Sequence, residues 1–219
     1  MNFPRTTVGG ISLPRMLIGC NWISGFSHRG AAGDTMIRKA HRDPASTAAI
    51  FQTFMNSGVD AVLGLFGVDA NLSKAVKMAE DATGKQMIIV DTLVLNMDDT
   101  AMARHEAELE IKASAARGAT FCLPLHSSVE QLINKNTETM DRLPDYLRMI
   151  RDAGMIPGLS AHMPEVIQYA DKNDYDVETY IQPYNCMGFM MQVEIESVAK
   201  IIHAAKKPVI TIKPCAAGR

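Results

Sequence analysis

The chain has 219 residues, of which 47% are hydrophobic and 21% are charged, enough for one well-buried globular domain. Its formal net charge of -2 gives no global attraction to nucleic acid or to an anionic membrane, so neither is expected as a partner. The sequence contains no apolar run of about 18 residues and no signal-peptide pattern at its N-terminus. These features favour a cytoplasmic protein.

The first part of the chain predicts a hairpin, a short strand and a polar loop. Residues 6–13 predict two short strands around Gly9 and Gly10, and residues 16–20 predict a buried strand that ends before Trp22. Residues 24–43 are too polar for a core and too long for a plain connection. We interpret them as a functional loop, with disorder as the alternative.

From Pro44 onward, predicted helices and strands alternate. The helices show apolar residues at a spacing of three and four, whereas the strands are nearly continuous apolar runs. The predicted helices cover residues 45–57, 69–82, 98–117, 138–153, 164–172 and 191–205. Each helix is followed by a predicted strand, and these strands cover residues 60–65, 87–91, 120–126, 156–160, 177–182 and 208–213. Such repeated units predict a parallel sheet covered by helices.

Seven main strands can be counted, whereas a closed (β/α)8 barrel needs an eighth strand to remove its edges. The sequence therefore predicts an α/β fold of the TIM type, a (β/α)8 barrel with an N-terminal hairpin, over residues 1–219 as a single domain. The eighth strand and helix are not evident, and we expect the C-terminal part of the barrel to be missing. An open doubly wound sheet is the alternative, although no GxGxxG turn follows the first strand.

Polar side chains stand where the predicted strands end. In a parallel β/α fold these ends meet at one face, where sites for small-molecule substrates are built. The selected residues are Asn21, Asp91, His126, Ser160, His162, Gln182, Asn185 and Lys213.

Several chemistries are open to this set. Asp91, His126 and His162 can act as acid or base, or as the ligands of a divalent metal, although they do not form a local motif. His162 can also cap the following helix, and His126 can be a hydrogen-bonded residue at the barrel mouth. Lys213 can form a Schiff base or contact a phosphate or carboxylate, with a surface-directed lysine as the alternative. Trp22 either stacks on a ligand or covers the core.

Four stretches carry a family resemblance. TTVGGISLPRMLIGCNW resembles the bottom hairpin and first strand of the aldo/keto reductases. IPGLSAHMPEVIQYA is similar to their fifth strand and the following helix, IQPYN to their sixth strand, and VITIKPCAAGR to the seventh strand of one branch. The resemblance implies a (β/α)8 barrel and an oxidoreductase that uses NADP(H). It also implies that Ser160 and Gln182 hold the nicotinamide carboxamide and that His126, which ends LPLH, is the active-site histidine. We add Asn185 and Trp22 to the cofactor-binding set.

The chain departs from the family at the residues that supply the proton in the family's reaction. Phe66 lies near the position of the family's proton-donating tyrosine, Leu93 lies near that of its lysine, and Ala161 replaces an asparagine. Phenylalanine cannot donate a proton, so the usual carbonyl reduction has lost its acid.

We therefore expect an oxidoreductase with a replaced catalytic tetrad, acting on a small carbonyl or hydroxy compound. One alternative is a lyase, isomerase or hydrolase on the same barrel that uses a divalent metal or acid–base chemistry, and another is a noncatalytic small-molecule-binding barrel. The predicted catalytic residues are Asp91, His126, His162 and Lys213. The same reasoning leaves the oligomeric state open.

Overall fold

The computed structural model describes residues 3–219, along which strands and helices alternate. In chain order the elements are β1 (Arg5–Val8), β2 (Ile11–Pro14), β3 (Ile18–Gly19), α1 (Ala31–Ala40), α2 (Pro44–Asn56), β4 (Ala61–Gly64), α3 (Ala70–Thr83), β5 (Ile88–Leu93), α4 (Ala101–Ala116), β6 (Phe121–Pro124), α5 (His126–Val129), β7 (Ile133–Asn134), β8 (Thr139–Met140), α6 (Leu143–Asp152), β9 (Ile156–Pro157), β10 (Leu159–Ser160), α7 (Glu165–Lys172), β11 (Tyr180–Pro183), α8 (Ile195–Ala204) and β12 (Val209–Ile212). This order confirms the predicted β/α repetition. Within residues 3–219, none of the helices is both long enough and apolar enough to cross a bilayer.

The chain divides into two compact units. The first comprises the residues up to Asp91 together with Ala116–Thr120, and the second comprises Thr92–Ala115 together with Phe121–Arg219. The expectation of a single domain therefore stays a prediction.

The first unit contains the N-terminal hairpin and a run of parallel strands. β1 and β2 pair antiparallel, with Val8 opposite Ile11, which confirms the predicted hairpin. β3 pairs in parallel with β4, and β4 pairs in parallel with β5. The helices of this unit turn apolar stripes inward, because α2 buries Phe51 and Met55 and α3 buries Leu72.

The segment 24–43 contains a helix that the sequence pattern does not predict. None of the residues of α1 is buried, so the helix lacks the apolar stripe that would reveal it. The Asp34 carboxylate accepts hydrogen bonds from the backbone N–H (2.8 Å) and the hydroxyl (2.6 Å) of Ser27, and Arg38 donates to the carbonyl of Gly25 (3.1 Å). These contacts order the segment, so the alternative of disorder is wrong. Its functional role stays a prediction.

The second unit contains two sets of parallel strands. β6 pairs with β9, and β10, β11 and β12 follow one another as hydrogen-bonded neighbours. The register places Ser160 opposite Ile181 and Gln182 opposite Thr211. β6, β10 and β11 are buried throughout, and strands buried on both faces need continuous apolar runs, so these segments can be recognised in the sequence.

Gly158 divides the predicted strand 156–160 into β9 and β10. The Gly158 N–H donates to the Cys122 carbonyl at 3.3 Å, whereas the next N–H, that of Leu159, donates to the Thr179 carbonyl at 3.1 Å. A Cβ at position 158 would lie 2.7 Å from the Thr179 carbonyl oxygen and 2.9 Å from Cγ of Leu123. Glycine is required here because the backbones approach closely where the strand changes partner.

Residues 126–142 depart from the prediction of one long helix over 138–153. The chain forms α5, a 3-10 turn at Glu130–Leu132 and the β7–β8 hairpin before α6 begins at Leu143. The turn of this hairpin is closed by Asn134, whose side-chain oxygen accepts from the backbone N–H of Asn136 at 3.2 Å. Pro144 stands in the first turn of α6, where its missing N–H costs no hydrogen bond.

Candidate functional site

Four of the predicted site residues lie at consecutive strand ends of the second unit. His126 opens α5 just after β6, and His162 lies two residues after β10. Gln182 lies within β11, and Lys213 directly follows β12. The sequence selected these residues because polar side chains interrupt apolar runs there, and parallel pairing brings neighbouring strand ends together.

The rings of His126 and His162 stack on each other. Their centroids are 4.0 Å apart and their planes are inclined by only 16°. His162 is buried, with 6% of its surface exposed, whereas His126 is half-buried. Sequence reasoning placed both residues at strand ends, and the structure adds that they form a pair.

The surroundings of His126 hold its pKa below the ordinary value. Burial is the largest cause, because it disfavours the charged imidazolium, and the positive charge of Lys213 lowers the pKa further. The negative charge of Glu130 acts in the opposite direction. A histidine with a lowered pKa is neutral near pH 7 and is therefore available as a proton acceptor.

The backbone of His162 is held at both ends of its peptide unit by side chains. The N–H of His162 donates to Oε1 of Glu130 at 2.6 Å, and the N–H of Met163 donates to the same oxygen at 2.9 Å. Nε2 of Gln182 donates to the carbonyl of His162 at 3.2 Å. These bonds fix the segment that carries the imidazole.

Sequence reasoning did not select Glu130. A signal was present, because Glu130 stands four residues after His126, a spacing that brings side chains to one face of a helical turn. The bond from Glu130 to the residues after β10 joins positions 32 apart in sequence, and no local pattern reveals such a contact.

Lys213 is partly buried at the end of β12. Its burial lowers the pKa of its ammonium group, because a charged amine loses hydration there. The backbone of Lys213 has a positive φ of 61°, in the left-handed region that non-glycine residues seldom occupy. The chain turns sharply at this residue, immediately after the strand.

Ser160 and Gln182, the predicted carboxamide-binding residues, are both buried. Ser160 is 3% exposed and Gln182 has no exposed surface. Among the described residues, Oε1 of Gln182 finds no hydrogen-bond donor. A buried acceptor in this state is costly, and the NH2 of a carboxamide would satisfy it.

Two further members of the predicted cofactor-binding set have other surroundings. Asn185 is engaged within its own loop: its Oδ1 accepts from the N–H groups of Met187 (3.1 Å) and Phe189 (2.9 Å), and its Nδ2 donates to the Phe189 carbonyl (3.0 Å). These bonds give Asn185 a structural role, and its contact with a cofactor stays a prediction. Trp22, in the first unit, is 51% exposed, so it does not cover a core, and its contact with a ligand stays a prediction.

Asp91 is an internal anion of the first unit. Its carboxylate has no exposed surface, accepts from the backbone N–H of Phe66 at 3.0 Å and forms an ion pair with Arg117 at 3.2 Å. These bonds explain why a carboxylate stands at the end of an apolar strand. Across residues 3–219, no three His, Cys, Asp or Glu side chains are grouped so as to hold a metal ion. The role of Asp91, His126 and His162 as metal ligands stays a prediction.

No protein-family model matches the chain, and comparison with curated proteins gives no significant match. Among solved structures, a Pseudomonas aeruginosa protein described as a candidate aldo-keto reductase has a TM-score of 0.63 at 12% identity, covering 94% of this chain and 76% of its own. The 3-dehydroquinate dehydratases of Geobacillus kaustophilus and Clostridium difficile have TM-scores of 0.53 and 0.54 at 11% and 8% identity. Each of the two matches covers 95% of this chain. The match covers 78% of the Geobacillus kaustophilus chain and 80% of the Clostridium difficile chain.

The chain has a TIM-barrel fold. This confirms the predicted fold class, and in such folds the strand ends that carry His126, His162 and Lys213 belong to the face on which active sites are built. The same fold is shared by the candidate reductase and the dehydratases, so the likeness alone does not choose between their chemistries.

Proposed function

We propose that this chain is a TIM-barrel lyase or isomerase that acts on a small carbonyl compound through a Schiff base on Lys213, with His126 as the proton-transfer group. The observation that carries this function is the partly buried Lys213 at the end of β12, whose lowered pKa makes more of the nucleophilic free amine available near neutral pH. The positive charge of Lys213 lowers the pKa of His126, which supports placing the nucleophile and the base in one site.

The chemistry follows from these two groups. The free amine of Lys213 attacks the carbonyl carbon of the substrate, and the carbonyl oxygen leaves as water with the two amine hydrogens. The imine nitrogen then takes up a proton from solvent. The imine withdraws electrons from the adjacent carbon, so that a proton or a leaving group there departs more easily. The neutral imidazole of His126 accepts the proton and can return it at the same carbon or to a leaving group.

The arrangement of His126 suits a base that must not be permanently protonated. If both stacked rings were charged at a separation of 4.0 Å, they would repel by about 4 kcal/mol at an effective dielectric constant near 20. Simultaneous positive charge on both rings is therefore disfavoured. Proton transfer to His126 stays reversible, as an isomerase or lyase requires.

Borohydride trapping tests this function. The protein is incubated with pyruvate and sodium borohydride, and the adduct is located by peptide mass spectrometry. We expect a reduced adduct on Lys213, which disappears in Lys213→Arg because a guanidinium does not form an imine. The matched control is Lys200→Arg, which changes an exposed lysine of α8 and should leave the adduct intact. Labelling of Lys213 no stronger than that of exposed lysines would reject the Schiff base.

A reductase is the second candidate, because the buried Oε1 of Gln182 lacks a donor. In that function Gln182 and Ser160 would hold the nicotinamide carboxamide of NADP(H), which supplies a hydride when bound. Titration with NADPH is the test. Gln182→Ala should weaken binding by roughly tenfold, the value of one hydrogen bond, whereas Gln168→Ala on the exposed side of α7 should not. A protein that does not bind millimolar NADPH would remove this candidate.

A further inference from the structure

Glu130 connects the two histidines of the site. It stands at the start of the 3-10 turn that follows α5, where its backbone N–H donates to the carbonyl of His126. Its side chain reaches the residues after β10 and accepts from the N–H groups of His162 and Met163, at 2.6 and 2.9 Å. One residue therefore contacts the segments that carry both imidazoles.

The hydrogen bonds that the Glu130 carboxylate accepts belong to the stronger, charge-assisted type. Hydrogen bonds from backbone N–H groups to an ionised acceptor are shorter and about twice as strong as those between neutral groups. Here two consecutive N–H groups converge on one oxygen, a concave anion-binding arrangement of the backbone. Because Nε2 of Gln182 holds the His162 carbonyl at 3.2 Å, the peptide segment of His162 has little freedom to rotate.

We infer that Glu130 is a positioning residue of this site, which holds the imidazole of His162 against that of His126. We place it in the same reaction, so the assignment rests on the proposed function. Glu130 does not need to touch the substrate. It acts by fixing one ring and by placing a negative charge close to the other.

The charge of Glu130 also balances the electrostatics of His126. The groups that act on this imidazole are Lys213, whose positive charge lowers its pKa, and Glu130, whose negative charge raises it, with the His162 ring stacked on its face. Burial lowers the pKa more than either charge changes it. Without Glu130, His126 would keep both lowering influences and would become a weaker base.

Two substitutions separate these effects. Glu130→Gln keeps an oxygen that can accept the N–H groups of His162 and Met163 but removes the charge. Glu130→Ala removes both the oxygen and the charge. Glu196→Gln, which removes a carboxylate from the exposed side of α8, is the matched control. Circular dichroism checks that each variant is folded.

NMR of the histidine rings is the first measurement, because it needs neither substrate nor turnover. Glu130→Gln should move the titration midpoint of His126 to lower pH with small changes in the His162 ring signals. Glu130→Ala should also displace the His162 ring signals, since the stack is no longer held. Unchanged ring signals and an unchanged His126 midpoint in folded Glu130→Ala would overturn the assignment. If Glu130→Ala does not fold, an unchanged midpoint in Glu130→Gln would do so.

Deuterium exchange into the methyl group of pyruvate is the second measurement. Glu130→Ala should slow exchange on the order of 100-fold, the effect of misplacing a catalytic group by about 1 Å, while borohydride still traps pyruvate on Lys213. Glu130→Gln should restore part of the rate. Equal exchange rates in Glu130→Ala and the unsubstituted protein would overturn the assignment. If the unsubstituted protein forms no adduct at all, the Schiff base is rejected, and the ring NMR still decides whether Glu130 positions the histidines.

Discussion

The imidazole of His126 lies face to face with that of His162 at a centroid distance of 4.0 Å. Neither residue is close to the other in sequence, and each follows a different strand of the second unit. The stack shields one face of His126 from water, which agrees with burial as the largest cause of its lowered pKa. The sequence indicates each of the two histidines separately, but it does not indicate that their rings stack.

Removal of the positive charge of Lys213 should raise the pKa of His126. The sign follows from Coulomb's law, because Lys213 disfavours the imidazolium, and its loss favours it. We expect NMR titration to give a His126 midpoint below the ordinary histidine value in the unsubstituted protein and a higher midpoint in Lys213→Met. His126→Gln identifies the signal. A midpoint that does not move in Lys213→Met would show that the two groups do not interact.

Lys213→Met should also raise the free energy of unfolding at pH 7. Burial lowers the pKa of Lys213 in the folded state below its value in the unfolded state. At pH values between these two pKa values, the unfolded chain binds more protons than the folded chain, so the free energy of unfolding rises with pH. Below the folded pKa the full cost of burying the ammonium is present, which methionine avoids. Urea denaturation at several pH values measures the difference, which should shrink as pH rises through this interval.

The exposed Lys200 of α8 provides the control for that experiment. Lys200→Met should leave the free energy of unfolding within about 0.5 kcal/mol of the unsubstituted protein at each pH, as surface substitutions usually do. If Lys213→Met lowers stability at pH 7 instead, then Lys213 is held by favourable contacts that outweigh its desolvation.

The strand ends were predictable, whereas the contacts between them were not. His126, His162 and Lys213 each stand where an apolar run ends, and such runs can be recognised in a single sequence. The role of Glu130 depends on a hydrogen bond across 32 positions, which only the folded chain brings together. Local pattern carries information about elements, but long-range hydrogen bonds depend on topology.

Asp91 shows what a sequence leaves open about a strand-end carboxylate. A carboxylate at the end of an apolar strand resembles a site residue, and the sequence gives no means of recognising the backbone N–H of Phe66 and the guanidinium of Arg117 as its partners. The helix α1 is not visible in the sequence for a related reason, since a helix with no buried residue has no apolar stripe to detect.

Asp91→Ala should be strongly destabilising. The substitution leaves Arg117 without the carboxylate at 3.2 Å and the N–H of Phe66 without its acceptor at 3.0 Å, both in a largely buried setting. Breaking a buried ion pair from one side costs about 3 to 5 kcal/mol. Urea denaturation at pH 7 measures the loss.

The double variant Asp91→Ala/Arg117→Met is the control for this assignment. It should recover part of the stability, because no uncompensated charge remains. Additive losses in the double variant would show that the ion pair contributes nothing.

Asp91→Asn, which keeps an acceptor for the N–H of Phe66, tests whether Asp91 is catalytic. This variant should still form the borohydride adduct on Lys213. Loss of the adduct in a folded Asp91→Asn protein would support a catalytic role for Asp91.

Gly158→Ala should destabilise the chain at the point where the fifth predicted strand changes partner. The new Cβ would lie 2.7 Å from the Thr179 carbonyl oxygen, 2.8 Å from Cγ2 of Thr179 and 2.9 Å from Cγ of Leu123, so β9 or β11 must shift. Overpacking of this kind costs roughly 1 to 3 kcal/mol. Gly19→Ala is the matched control, because a Cβ there meets nothing within 4 Å. Equal free energies of unfolding for the two variants would contradict the close approach. Since β10 carries Ser160 and leads to His162, we also expect Gly158→Ala, and not Gly19→Ala, to displace the His162 ring signals in NMR.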